Sequence, residues 1–155
     1  LRSDVYAQAG DAWALAGEFN PAIRAYDNAI ARTPDSAIFY EGRARVKALA
    51  EKWEGARDDA AEALAIEPNF PAALLIRAAA NRILGYPRAA LVDANNAVSL
   101  NPHNLGALLE RGLVHKALGD IPAARADWSA AVKYAKATGN EEDPAALAAA
   151  HYLSQ

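Results

Sequence analysis

Ile30-Ala31-Arg32-Thr33-Pro34, Leu64-Ala65-Ile66-Glu67-Pro68 and Val98-Ser99-Leu100-Asn101-Pro102 decide the fold. Each closes a run of helix formers with a proline that cannot continue a helix, and the three prolines stand 34 residues apart. A fixed period of this length is the mark of a repeat array, in which no unit buries its apolar face alone. Framed on the prolines, the chain divides into repeats 3–36, 37–70, 71–104 and 105–138, followed by a tail. Small residues recur in register: Gly10, Ala44, Ala78 and Gly112; then Ala22, Ala56, Ala90 and Ala124; then Ala29, Ala63, Ala97 and Ala131. Between the first two sets stand Gly17, Glu51, Gly85 and Gly119, each followed two residues later by the first residue of a second helix, Phe19, Trp53, Pro87 and Ile121. Each repeat therefore reads as helix, tight turn, helix. The small residues mark where the helices approach closely, and Tyr6, Trp13, Tyr26, Tyr40, Trp53, Leu74, Leu108, Trp128 and Tyr134 supply bulk beside them.

Composition supports this reading and excludes several classes of function. The 155 residues are 53% hydrophobic, enough for a core, and alanine, the best helix former, leads the composition. A net charge of −3 and the lack of a lysine and arginine run argue against nucleic acid as a partner. No apolar stretch is long enough to insert in a membrane, and no secretion signal opens the segment. The chain begins at Leu1 rather than methionine, as a processed protein or a piece of a longer one would, so a leader or anchor can lie upstream. The absence of cysteine is compatible with a cytoplasmic or a periplasmic address.

The 34-residue period, with a large residue, Gly or Ala, a glycine turn, Ala, an aromatic or small residue, Ala and Pro, resembles the tetratricopeptide repeat family over residues 3–138. The resemblance implies an all-α, right-handed superhelical solenoid of four helical hairpins, forming one domain over 1–155. Glu51 replaces the turn glycine of the second repeat, at roughly 1 kcal/mol if φ must be positive there. The fourth repeat has Lys136 where the others have proline.

A second pattern couples residues within a repeat. Arg43 goes with Asp59, Arg77 with Asp93 and Arg111 with Asp127, each 16 residues apart across the turn, while the first repeat has Ala9 and Ala25 at both places. Both members appear or vanish together, which predicts a partly buried bidentate ion pair joining the two helices of repeats two to four. After the repeats, Asp143 and Pro144 are an N-cap and first-turn proline for a helix over about 144–153, with Leu147, Tyr152 and Leu153 suited to cap the last hairpin. Its few charges also fit the first helix of a further repeat, or a surface for self-association.

No chemistry is written into the chain. His103, His115 and His151 lie apart with no metal-ligand spacing, no nucleophile motif or phosphate loop is present, and no cofactor, metal site or enzymatic activity is expected. Asp58, Asp59, Glu141 and Glu142 read as solvated charge, and Trp13, Trp53 and Trp128 as core rather than ligand stacking.

In the family, first helices line a concave face that contacts peptides or partner helices. The resemblance implies groove residues Asp4, Ala7, Asp11, Ala14 and Leu15 in the first repeat; Ile38, Glu41, Arg45, Ala48 and Leu49 in the second; Ala72, Leu75, Ala79, Arg82 and Ile83 in the third; and Gly106, Leu109, Leu113, Lys116 and Ala117 in the fourth. Acidic residues lie at the start, and leucines with cations at the end. This drift predicts an apolar partner segment with a carboxylate near Arg45, Arg82 or Lys116. The lysine and asparagine clamp of chaperone-tail binders is not matched, since Ala7 and Asp11 stand in its place and Gly42 and Arg45 do not restore it. A protein or peptide binding module is the leading function. A scaffold for several subunits, and a regulatory segment of a larger enzyme, are the alternatives.

Overall fold

The computed structural model describes residues 2–155, all of whose regular structure is helical. Four hairpins follow in order: α1 (Ser3–Leu15) with α2 (Phe19–Arg32), α3 (Ala37–Leu49) with α4 (Trp53–Ile66), α5 (Pro71–Ile83) with α6 (Pro87–Leu100), and α7 (Leu105–Ala117) with α8 (Ile121–Thr138). A ninth helix, α9 (Pro144–Leu153), packs on α7 and α8.

Each hairpin turn has one residue in the left-handed region, Gly17, Glu51, Gly85 and Gly119, with φ of 78°, 57°, 89° and 82°. The next amide then reaches back to a carbonyl five residues earlier, as from Lys52 to Lys47 at 2.8 Å and from Tyr86 to Asn81 at 2.7 Å, closing the first helix and turning the chain into the second. Glu51 thus takes the strained conformation that its neighbours assign to glycine. Helices α2, α4 and α6 are 14 residues each, and the prolines lie just beyond their ends. With Lys136 in place of proline, α8 continues for 18 residues until Gly139, at φ 72°, stops it.

The core is built mostly of alanine. Ala22, Ala56, Ala90 and Ala124 are fully buried, as are Ala29, Ala63 and Ala131, because at these places two helices approach too closely for a larger side chain. Bulk enters where glycine makes room. A Cβ on Gly10 would stand 2.7 Å from the Tyr26 ring, one on Gly42 would stand 2.5 Å from the same ring, and one on Gly112 would collide with Nε1 of Trp128. Tyr26 and Trp128 are buried accordingly, whereas the second and third repeats have Ala60 and Ala94 there, against Ala44 and Ala78.

Trp13 departs from the sequence expectation. It is 47% exposed and not core. The equivalent place in the third repeat, Asn81, lies in a cleft lined by Ala61 of the preceding second helix and Val92 of its own. Among the described residues no helix precedes α1, so nothing covers the indole. Asp59 departs in the opposite sense: it is buried rather than solvated.

Candidate functional site

Neighbouring first helices touch one another, α1 with α3, α3 with α5, α5 with α7 and α7 with α9, while no second helix contacts another. An array whose first helices are the closer set bends toward them. Their outward side chains therefore line the inner face.

Along that face the side chains divide into those that are free and those already committed. Leu15, Leu49 and Ile83 occupy the same place in three successive first helices and are 91%, 55% and 44% exposed. Ile38 is exposed as well. Leu49 and Leu15, with Ala14, Asp11 and Arg45, line a depression of about 350 Å³ between α1 and α3. By contrast Leu75, Leu109 and Leu113 are half-buried and pack against the central cluster around Leu74, Leu108 and Trp128. These leucines fill gaps between adjacent first helices.

The cations divide in the same way. Arg82 donates from Nε to Glu110 Oε1 at 2.7 Å and from Nη2 to Oε2 at 3.3 Å, a bidentate clasp between α5 and α7. Arg45 donates to Asp11 Oδ1 at 2.9 Å, and its Nε lies 3.5 Å from Glu41. The same Asp11 oxygen accepts the Tyr26 hydroxyl at 2.6 Å. Lys116 is exposed, with its ammonium 5.2 Å from the centre of the Tyr152 ring.

These pairings set the titration of the face. Burial raises Glu110, and the hydrogen bonds from Arg82 oppose this without cancelling it. Glu41 is raised by burial too, against the pull of Arg45. For Asp11 burial is outweighed by hydrogen bonds from Tyr26 and Arg45, so its pKa falls below the ordinary carboxylate range. Burial and the Asp11 carboxylate together push the Tyr26 phenol upward.

Separate from these clasps are the ion pairs that join the two helices of the second, third and fourth hairpins. Arg43 donates to both oxygens of Asp59 at 2.8 and 2.7 Å, Arg77 to both of Asp93 at 2.8 Å, and Arg111 to both of Asp127 at 2.9 and 2.6 Å. The carboxylates are buried, and their hydrogen bonds raise the pKa of all three guanidinium groups. Arg43 also reaches Asp27 of the first repeat at 2.6 Å, and Lys47 reaches Asp59 at 2.7 Å. The row of arginines is thus bound into the scaffold.

Compared with solved structures, the chain superposes on the TPR domain of Arabidopsis OM64 with a TM-score of 0.71 at 26% identity, covering 74% of this chain and 94% of that one. It matches TTC0263, a thermophilic TPR protein of Thermus thermophilus, with a TM-score of 0.74 at 19% identity over 97% and 89% of the two chains. The fold is that of the tetratricopeptide repeat. A third TPR structure, the first TPR of Spaghetti (RPAP3) bound to the HSP90 peptide SRMEEVD, matches with a TM-score of 0.74 at 24% identity over 76% of this chain and 94% of that one. No protein-family model matches the sequence, and a comparison with curated proteins finds no match.

Within this TPR array the histidines are dispersed: His103 stacks on Tyr134 at 4.4 Å between ring centres, His115 lies 3.8 Å from Asp127, and His151 contacts Gln155 at 2.9 Å. Among the described residues no three metal-binding side chains come together, and no helix is long and apolar enough to cross a membrane.

Sequence reasoning missed the clasps on the inner face. Arg45 and Asp11 share one place in successive repeats, 34 residues apart, and that alternation of charge was a readable signal. Arg82 and Glu110 occupy different places in their repeats, so nothing in the period pairs them.

Proposed function

We propose that this TPR chain is a non-catalytic interaction module that holds an apolar segment of a partner protein across Leu15, Leu49 and Ile83. The observation that carries the reading is the exposure of these three side chains at one place in three consecutive repeats, where solvent-facing polar residues would cost the fold nothing. Packed helices lie roughly 10 Å apart. A partner that meets all three presents apolar side chains at that spacing, which is about seven residues of helix or three of extended chain. Ile38 on α3 and Lys116 on α7 are exposed as well, and Lys116 is the cation we assign to any carboxylate of the partner.

An acidic tail of the kind bound to the Spaghetti domain is not the ligand we propose. Asp11 and Glu41 place negative charge at the start of the face, and Arg45, the cation there, is held by both of them. Affinity capture from the source cell tests the reading. The parent chain is expected to retain a partner that the Leu15→Ser, Leu49→Ser, Ile83→Ser variant loses, with helical circular dichroism unchanged and a convex-face Val92→Ser control retaining it. Equal retention by the triple variant would refute the groove as the site.

A further inference from the structure

Helix α9 has the start of a first helix, and among the described residues no second helix packs on it. Pro144-Ala145-Ala146-Leu147 repeats Pro71-Ala72-Ala73-Leu74 letter for letter, and the Asp143 side chain accepts from the Ala145 amide at 2.8 Å to cap it. The helix packs on α7 and α8 as α7 packs on α5 and α6, anchored by the Tyr152 ring stacked 4.9 Å from Trp128. What differs is the cover. Leu74 and Leu108 are 3% and 4% exposed, but Leu147, at the same place, is 52% exposed. Beside it lies a groove of about 270 Å³ between α8 and α9, lined by Val132, Ala135, Ala146 and Ala150, with Lys136 and Glu141 also at its wall.

We propose that this face makes a weak symmetric dimer, in which α9 of a second copy lies antiparallel on α9 of the first and takes the place that a second helix holds on α5 and α7. Three observations select a second copy. His151 stands where Gly10, Ala44, Ala78 and Gly112 allow the closest crossing in the repeats, so a helix crossing at the usual point meets an imidazole. The open part is then the alanine-rich first half of α9, which accepts a short helix with small side chains, and α9 is itself such a helix. Lys136 and Glu141 carry opposite charges, and neither forms an ion pair within the chain among the described residues. A two-fold axis sets Lys136 of each copy toward Glu141 of the other, the self-complementarity that such an interface requires. The contact is small, hence weak. It uses none of Leu15, Leu49 and Ile83, so it is separable from the partner groove.

Sedimentation equilibrium on the 155-residue chain tests this, over about 0.02 to 1 mM protein, where small interfaces associate. The weight-average mass is expected to rise above 16.4 kDa toward twice that value. Leu147→Glu, at an exposed site that leaves the fold intact by circular dichroism, is expected to weaken association at least ~10-fold. Lys136→Glu and Glu141→Lys are each expected to weaken it about threefold, and the double reversal to restore it. A chain that stays monomeric throughout overturns the proposal and leaves the face to a helix of another protein. Association unchanged by Leu147→Glu places the dimer elsewhere and overturns it too. Single reversals that weaken without mutual rescue overturn the antiparallel arrangement.

Discussion

The first and second repeats fasten the same helix crossing by different means. In the first, Gly10 and Gly42 open room for the Tyr26 ring, while Ala9 and Ala25 face each other without charge. In the second, Ala44 and Ala60 close the space, and Arg43 grips Asp59 through two hydrogen bonds. The fourth repeat uses both, with Gly112 beneath Trp128 and Arg111 on Asp127. Ring packing and the buried ion pair are therefore independent devices, set at neighbouring places along the hairpin.

The comparison can be broken most severely at the glycines. Gly112→Val should destabilise by about 3 kcal/mol or more, since even a methyl there meets the indole, and Trp128→Ala should recover part of that loss by removing the ring that the new side chain meets. Urea unfolding of the two single variants and the double reads the coupling, and strict additivity would contradict the account. Asp93→Ala should cost about 2 to 4 kcal/mol, because it leaves a partly buried guanidinium without its carboxylate. Asp27→Ala, removing only the exposed outer contact of Arg43, should cost under about 1 kcal/mol. Equal effects would mean that the ion pairs are not structural. Glu51→Gly should stabilise the second turn by roughly 1 kcal/mol by removing left-handed strain, seen as a higher unfolding midpoint.

The smallest effect concerns the Asp11 site, which ties the first repeat to the second. The folded-state pKa of Asp11 is depressed, so the stability it contributes is present above its unfolded value of 3.8 and is lost as pH falls through the folded value. Asp11→Asn should thus lower stability at pH 7 by less than about 1 kcal/mol, given its solvent exposure, and leave it unchanged near pH 2. A loss that persisted in acid would assign the effect to packing instead of charge.

Much of this architecture is legible in the sequence because it is periodic. Three prolines, the turn glycines and the alanine columns each recur every 34 residues, and so does the Arg and Asp couple. The aromatic device was equally present, as Gly10 with Tyr26 and Gly112 with Trp128 against two alanine pairs, but its meaning depends on which side chains meet across the hairpin. The inner face was less legible. Leu75, Leu109 and Leu113 read as a ligand surface because their places face the groove; in the structure they are half-buried and packed against the central cluster. Leu15, Leu49 and Ile83 lie beside them with similar hydropathy, and only exposure separates the two groups. Trp13 was misread for a related reason. The equivalent place in the third repeat, Asn81, shares a cleft with Ala61 of the second helix before it, and among the described residues no helix precedes α1.

The most direct test of the account compares Leu49→Glu with Arg82→Gln in binding to the captured partner, each checked for a folded array. Leu49→Glu is expected to weaken binding at least ~10-fold with stability unchanged, while Arg82→Gln lowers stability through Glu110 and leaves the affinity of the folded protein within about twofold. A reversal, with affinity lost at Arg82 and retained at Leu49, would contradict the assignment of the arginines to the scaffold and of the exposed apolar row to the partner.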